Sequence, residues 1–148
     1  MIGFRNDVVQ PEDTVAFFLY HFDGTTWSLS DSVVRTSGLL SDDRFGRTLF
    51  AVDGRIFSAG YGVFEKNGTS WNRLFYSDKS LVRLAGTSAS NLFAVGSESQ
   101  VYHYDGINWY RYPQFQSVDK VFTSAWAMSG EVFVVGNDGQ RTYILHGK

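Results

Sequence analysis

A tryptophan stands three residues after an Asx-Gly pair at three places in the chain: Asp23-Gly24-Thr25-Thr26-Trp27, Asn67-Gly68-Thr69-Ser70-Trp71 and Asp105-Gly106-Ile107-Asn108-Trp109. A second block recurs as Ile56-Phe57-Ser58-Ala59-Gly60, Leu92-Phe93-Ala94-Val95-Gly96 and Val132-Phe133-Val134-Val135-Gly136. Blocks returning at about forty residues mark an array of similar supersecondary units, and this period is that of a four-stranded blade. Residues 81–96 align with 121–136 without a gap, which sets Trp126 against Gly86. Gly147 continues the row of turn glycines Gly24, Gly68 and Gly106.

Short aromatic and β-branched runs flank Asp23-Gly24, Asp53-Gly54, Asn67-Gly68, Asp105-Gly106 and Asp138-Gly139. A tight hairpin with the right twist needs positive φ at its centre, which glycine adopts freely and Asn or Asp tolerate. The third copy therefore reads as strands over 81–85, 92–95, 101–104 and 109–112, and the second as 48–52, 55–59, 63–66 and 71–75. The fourth supplies 121–124, 131–135 and 143–146 and lacks an outer strand. In the first, 15–22 and 27–29 form the last two strands, and 4–9 adds at most one more. We expect an all-β fold: a single domain, 1–148, of about four antiparallel, propeller-like blades, partly incomplete, with copies at about 1–30, 31–76, 77–113 and 114–148.

An open blade edge leaves a row of unpaired backbone groups, which proteins cover or pair. Either residues 2–6 pair with the end of the fourth copy, or two chains join their partial rings. Four blades is the low end of the usual range of about four to eight. The expectation is therefore a homodimer that completes the ring, with Ile2 and Phe4 among its interface residues.

Composition excludes several classes of function. Without cysteine there is no disulfide, thiolate metal site or cysteine nucleophile. A net charge of −2 with scattered lysines and arginines offers no basic run for a phosphate backbone, so nucleic acid is not expected as a partner. No apolar stretch reaches the length of about eighteen residues that a membrane helix needs. Arg5, Asp7, Glu12 and Asp13 interrupt any signal-peptide core. A soluble chain of open location is expected.

The string Val95-Gly96, then Val101-Tyr102-His103-Tyr104-Asp105-Gly106 and Trp109, resembles the degenerate blade repeats of bacterial β-propeller proteins, related in look to the Asp-box repeats of sialidases. The resemblance spans about Val15 to Lys148 and implies the blade fold. The Asp-box aspartate belongs two residues before the glycine, where this chain has Phe22, Lys66 and Tyr104, and the motif's serine is absent. No residue matches a sialidase arginine cluster or tyrosine nucleophile, so that active site is not implied.

His21, His103 and His146 occupy equivalent places in the third strands of their copies, with Glu65 in the second. Imidazole is a common ligand group, but third strands of adjacent blades stand much farther apart than a metal bond of about 2 Å allows. The three histidines are thus candidates for ligand contact or for half-buried cross-strand bonds, and no metal or other cofactor is expected. Trp27, Trp71 and Trp109 recur at one repeat position, as residues that seal packing between blades do. Trp126 breaks the repeat and is the tryptophan to test for ligand contact. Tyr110, Arg111 and Tyr112, beside Tyr102 and Tyr104, have the composition of protein interfaces.

Catalytic constellations are thin: the chain has no nucleophile elbow and no phosphate-cradling loop. Glu12-Asp13 and Asp42-Asp43 read as solvated turn charges, and Asn67-Gly68-Thr69 matches a glycosylation sequon. The expected function is a non-catalytic binding or interaction module with a protein or carbohydrate partner. A carbohydrate-binding lectin is the first alternative, and a glycosidase or lyase using loop carboxylates the second.

Overall fold

A computed structural model describes residues 2–4, 14–36, 46–115 and 119–148. Among these, the chain is all-β and forms four successive antiparallel sheets. The first contains β1 (Ile2–Phe4), β2 (Thr14–Phe22) and β3 (Trp27–Thr36). The second contains β4 (Thr48–Val52), β5 (Arg55–Gly60), β6 (Gly62–Asn67) and β7 (Ser70–Tyr76). The third contains β8 (Leu81–Ser88), β9 (Asn91–Gly96), β10 (Val101–Tyr104) and β11 (Trp109–Arg111), followed by a 3-10 turn at Pro113–Phe115. The fourth contains β12 (Val121–Met128), β13 (Glu131–Asn137) and β14 (Thr142–Gly147).

Each sheet is a meander, so every strand pairs with its neighbours in sequence. Within the first sheet, β1 pairs Ile2 with Leu19 and Phe4 with Phe17. It therefore adds to β2, and among the described residues it makes no pairing with β14, the alternative to a homodimer; residues 5 and 6 of that alternative lie outside the described residues. β3 runs on to Thr36, past the copy boundary expected near residue 30.

The turns show why Asx-Gly recurs. Asp23 Oδ1 accepts from the amides of Thr25 and Thr26, both at 2.8 Å, while Gly24 takes φ of +102°. Asp105 caps Ile107 and Asn108 in the same way, at 2.8 and 2.7 Å, with Gly106 at +96°. The carboxylate satisfies two amides that a two-residue loop would otherwise leave to water. Gly147 is not a turn residue. It is the last residue of β14, paired with Val132, and shares the register of Tyr104, which pairs with Leu92.

A different constraint fixes Gly96, the last residue of β9, and its counterpart Gly136 near the end of β13. A Cβ on Gly96 would lie 2.1 Å from the Ser80 carbonyl oxygen, and one on Gly136 would lie 2.5 Å from that of Val121. Backbone stands in the way at both places, joined at Gly136 by the Phe122 ring, and only a residue without a side chain fits.

The apolar core lies between sheets. Phe57, Ala59 and Val63 of the second pack against Leu81, Leu84, Leu92, Ala94 and Tyr102 of the third. Ala85, Val95 and Val101 on the other side of the third meet Phe122, Ala125 and Val134 of the fourth. Burying a side chain such as Phe57 or Leu92 stabilises by about 1.5–3 kcal/mol, and here it requires two sheets. First and second sheets are linked by Trp71 Nε1, which donates to Asp31 Oδ2 at 2.9 Å.

Strand bulges decide where Trp126 stands. β8 carries an irregularity between Gly86 and Ser88 that β12 lacks, so the gapless alignment slips by one residue along the strand. In register, Trp126 faces Phe133 as Ala85 faces Phe93, and Ala127 rather than Trp126 matches Gly86. Trp126 therefore keeps a repeat position, occupied by Phe50 opposite Phe57 in the second sheet.

Candidate functional site

The second strand of each later sheet begins with a polar residue, and two positions on comes a phenylalanine: Arg55 and Phe57, Asn91 and Phe93, Glu131 and Phe133. Alternation along a strand puts each such pair on one face. The residue opposite the phenylalanine on the third strand is Glu65, His103 or His146. The polar residue then reaches across the ring to that partner. Arg55 grips Glu65 with two nitrogens, Nη2 donating to Oε2 at 2.8 Å. His103 Nε2 lies 2.8 Å from Asn91 Oδ1 and donates to it, since Asn91 Nδ2 donates in turn to Thr87 Oγ1. His146 Nε2 lies 3.7 Å from Glu131 Oε1, an ion pair when the imidazole is protonated.

Both imidazoles lie flat on their phenylalanine, with ring centroids 4.4 Å apart and planes within 11° for His103 and 3° for His146. The expected half-buried position with a ring nitrogen bonded to a neighbouring strand is what His103 occupies. Burial pushes its pKa down, against a smaller opposing pull from Asp105. In the second sheet the Arg55 hydrogen bonds hold the Glu65 carboxyl below its usual range.

A cavity of about 470 Å³ opens between the third and fourth sheets, bordered by residues of the Asn91–His103 and Glu131–His146 pairs. From the third sheet come Asn91, Phe93, Val101 and His103, joined by Tyr112, Gln114 and Phe115 just beyond β11. The fourth contributes Glu131, Val132 and Val134 and the β14 run of Leu145, His146 and Gly147. Along β14 the cavity borders a strand edge with no neighbouring strand among the described residues. In the second and third sheets the same side of the third strand is taken by β7 and β11. The walls are thus mostly apolar, with the Asn91 amide and His103 imidazole at fixed points on the third sheet, a composition suited to ligand recognition. Glu131 and His146 border the cavity from a strand face whose His146 ring stacks on Phe133.

The sequence-derived candidates separate in space. His103 and His146 meet at the cavity, whereas His21 belongs to the first sheet, opposite Ser28. No group of three His, Asp or Glu side chains able to hold a metal exists among the described residues. Trp126 does not line the cavity; it lies on the other face of the fourth sheet, exposed, with its ring 6.0 Å from Phe133. Tyr112 enters the cavity wall, its amide bonded to Val101 O at 3.0 Å, while Tyr110 is exposed and Arg111 stands over the Tyr102 ring. Ile2 and Phe4 lie on the edge strand β1 of the first sheet. Glu12-Asp13 and Asp42-Asp43 lie outside the described residues. Sequence reasoning missed Asn91 and Glu131, although their matched positions ahead of Phe93 and Phe133 were a usable signal. It also missed Gln114 and Phe115, which carry no repeat signature.

No family model matches the chain, and neither a curated protein nor a solved structure matches it. No helix among the described residues is long and apolar enough to cross a membrane.

Proposed function

We propose that this chain is a non-catalytic binding module on propeller-like blades, and that it takes an extended segment of a partner protein along β14 into the cavity between the third and fourth sheets. One observation carries this reading: an apolar cavity lies beside a strand edge that has no neighbour among the described residues. A segment added to that edge gains main-chain hydrogen bonds from β14, and alternate side chains enter the space beside Tyr112, Phe115 and Leu145. Among the described residues Glu131 is the one Asp or Glu bordering the cavity, whereas glycoside hydrolysis commonly uses a facing pair. That supports binding over catalysis.

The test is selection from a displayed library of random peptides, followed by NMR of the labelled chain with a selected peptide. Shift changes concentrated in β14 and around Tyr112, with binding lost in Tyr112→Ala, are expected. A carbohydrate ligand is the second reading, favoured by the Phe93 ring with the Asn91 amide and the His103 imidazole on one wall of the cavity. Glycan-array binding that disappears in Tyr112→Ala would establish the sugar in place of the peptide. A library that yields no peptide dependent on Tyr112, with a silent array, would overturn the module.

A further inference from the structure

The junction between the second and third sheets joins two unlike faces. The face that each sheet turns toward its successor carries the phenylalanine and the residue opposite it, as Phe57 does in the second sheet and Phe93 with His103 in the third. The face turned toward the predecessor carries an aromatic cross-strand pair in the third sheet, where Tyr104 stacks on Trp109 at 5.1 Å. Trp109 in turn stacks on Phe75 of the second sheet at 5.2 Å, so this pair receives the forward face of the sheet before it.

Both kinds of face are uncovered at the ends of the array. On the forward side of the fourth sheet, Trp126, Phe133 and His146 form one cross-strand row, and Trp126 is 54% and Ile144 68% exposed. On the backward side of the first sheet, Phe22 stacks on Trp27 at 4.9 Å, the counterpart of Tyr104 on Trp109, and Trp27 is 52% exposed. Tyr20 and Leu29, opposite each other on that face, are exposed as well. The first sheet's other face is the one that meets its successor, because Asp31 on it accepts from Trp71. The two open faces are therefore the two halves of the junction already made inside the chain, and their exposure shows that they do not cover each other within one copy. Apolar patches of this kind mark interaction sites.

We propose that two copies of this chain join end to end, the forward face of each fourth sheet covering the backward face of the other copy's first sheet. The contact is made twice about a two-fold axis, so it closes and leaves neither end exposed. Eight sheets result, within the range of about four to eight that such rings use. Of the residues named on these two faces only His146 also borders the cavity, while Trp126, Ile144, Tyr20, Phe22, Trp27 and Leu29 do not, so the variants that test this assembly leave the ligand reading untouched.

Light scattering coupled to size-exclusion chromatography tests it. The unmodified chain is expected at twice its 16.7 kDa mass. Trp126→Glu and Trp27→Glu, each checked for retained β-sheet by circular dichroism, are expected to run as monomers. If Trp27→Glu does not fold, Tyr20→Glu replaces it. Mixing the two variants is the decisive step: the intact forward face of one and the intact backward face of the other restore one contact, and a dimer peak should return. An unmodified chain that stays monomeric at every concentration overturns the proposal. So does a dimer lost only with Trp126→Glu, because a forward face meeting itself needs no Trp27, and so does a mixture that remains monomeric.

Discussion

Asn91 and His103 are joined across the Phe93 ring by a 2.8 Å hydrogen bond, at the point where Arg55 meets Glu65 and Glu131 faces His146 in the adjacent sheets. One geometric slot thus holds a base with an acid, two polar groups, and an acid with a base. The neutral occupant has a pH consequence. Burial holds the His103 pKa below its usual value, so the unfolded chain binds the proton first. Stability that His103 contributes is full above about pH 6.5 and is lost as pH falls through the lower folded value. NMR titration should place His103 below an exposed histidine, and urea unfolding of His103→Gln should show a weaker pH dependence between pH 5 and 7.

The Arg55–Glu65 pair is part exposed, so screening limits its value despite the two-nitrogen grip. Replacing Glu65 by Gln is expected to cost about 0.5–1 kcal/mol at low salt, with much of that difference gone at high ionic strength. A double-mutant cycle with Arg55→Met measures the coupling directly.

Gly96→Ala and Gly24→Ala separate two reasons for a glycine. At Gly96 the new methyl meets the Ser80 carbonyl, and a cost of about 3 kcal/mol is expected from overpacking against backbone. A Cβ on Gly24 would meet no atom within 4 Å beyond its chain neighbours, and only the left-handed φ opposes the change, at about 1–2 kcal/mol. Chemical denaturation of the two variants should rank them in that order.

Trp71 and Trp109 share a repeat position but differ in one hydrogen bond. Trp71 Nε1 reaches Asp31, whereas the buried Trp109 Nε1 finds no acceptor among the described residues. Placing phenylalanine at 71 should lose about 1 kcal/mol for the bond in addition to packing. At 109 the same change gives up only packing and relieves an unsatisfied donor. Thermal melts of the two variants compare them.

Asp138 is held down to about 2, first by the Tyr143 hydroxyl at 2.6 Å and then by the Gln140 and Arg141 amides. Its folded pKa lies below the unfolded one, so its contribution is complete above about pH 4 and disappears as pH falls toward 2. Asp138→Asn should flatten acid unfolding over that window, as followed by circular dichroism.

Much of this fold was legible in the sequence because the pattern is local. Asx-Gly turns and alternating runs located β4 at Thr48–Val52 and β10 at Val101–Tyr104 to the residue, and missed β12 mainly in length. What stayed hidden depends on register. A single bulge in β8 moved Trp126 from the Gly86 position to that of Ala85, and strand periodicity has no means of signalling an extra residue. Likewise Gly147 passed for a turn glycine because composition does not distinguish a strand end from a loop. His103 and His146 were picked out as equivalents, but that they border one cavity follows from the packing of two sheets, which no one-sheet pattern encodes.

The buried clusters flank the third sheet on both sides, and that arrangement ranks the strands by how long they resist solvent exchange. The first sheet has one covered face and the fourth another, so each can open while its neighbour stays closed; the third cannot open without exposing both clusters at once. The amides of β9, at the centre of that sheet, should be the last in the molecule to take up deuterium. Local losses at either end, such as a missing ligand or a missing second copy, would then thin the protein from its ends inward while β8 to β10 stand.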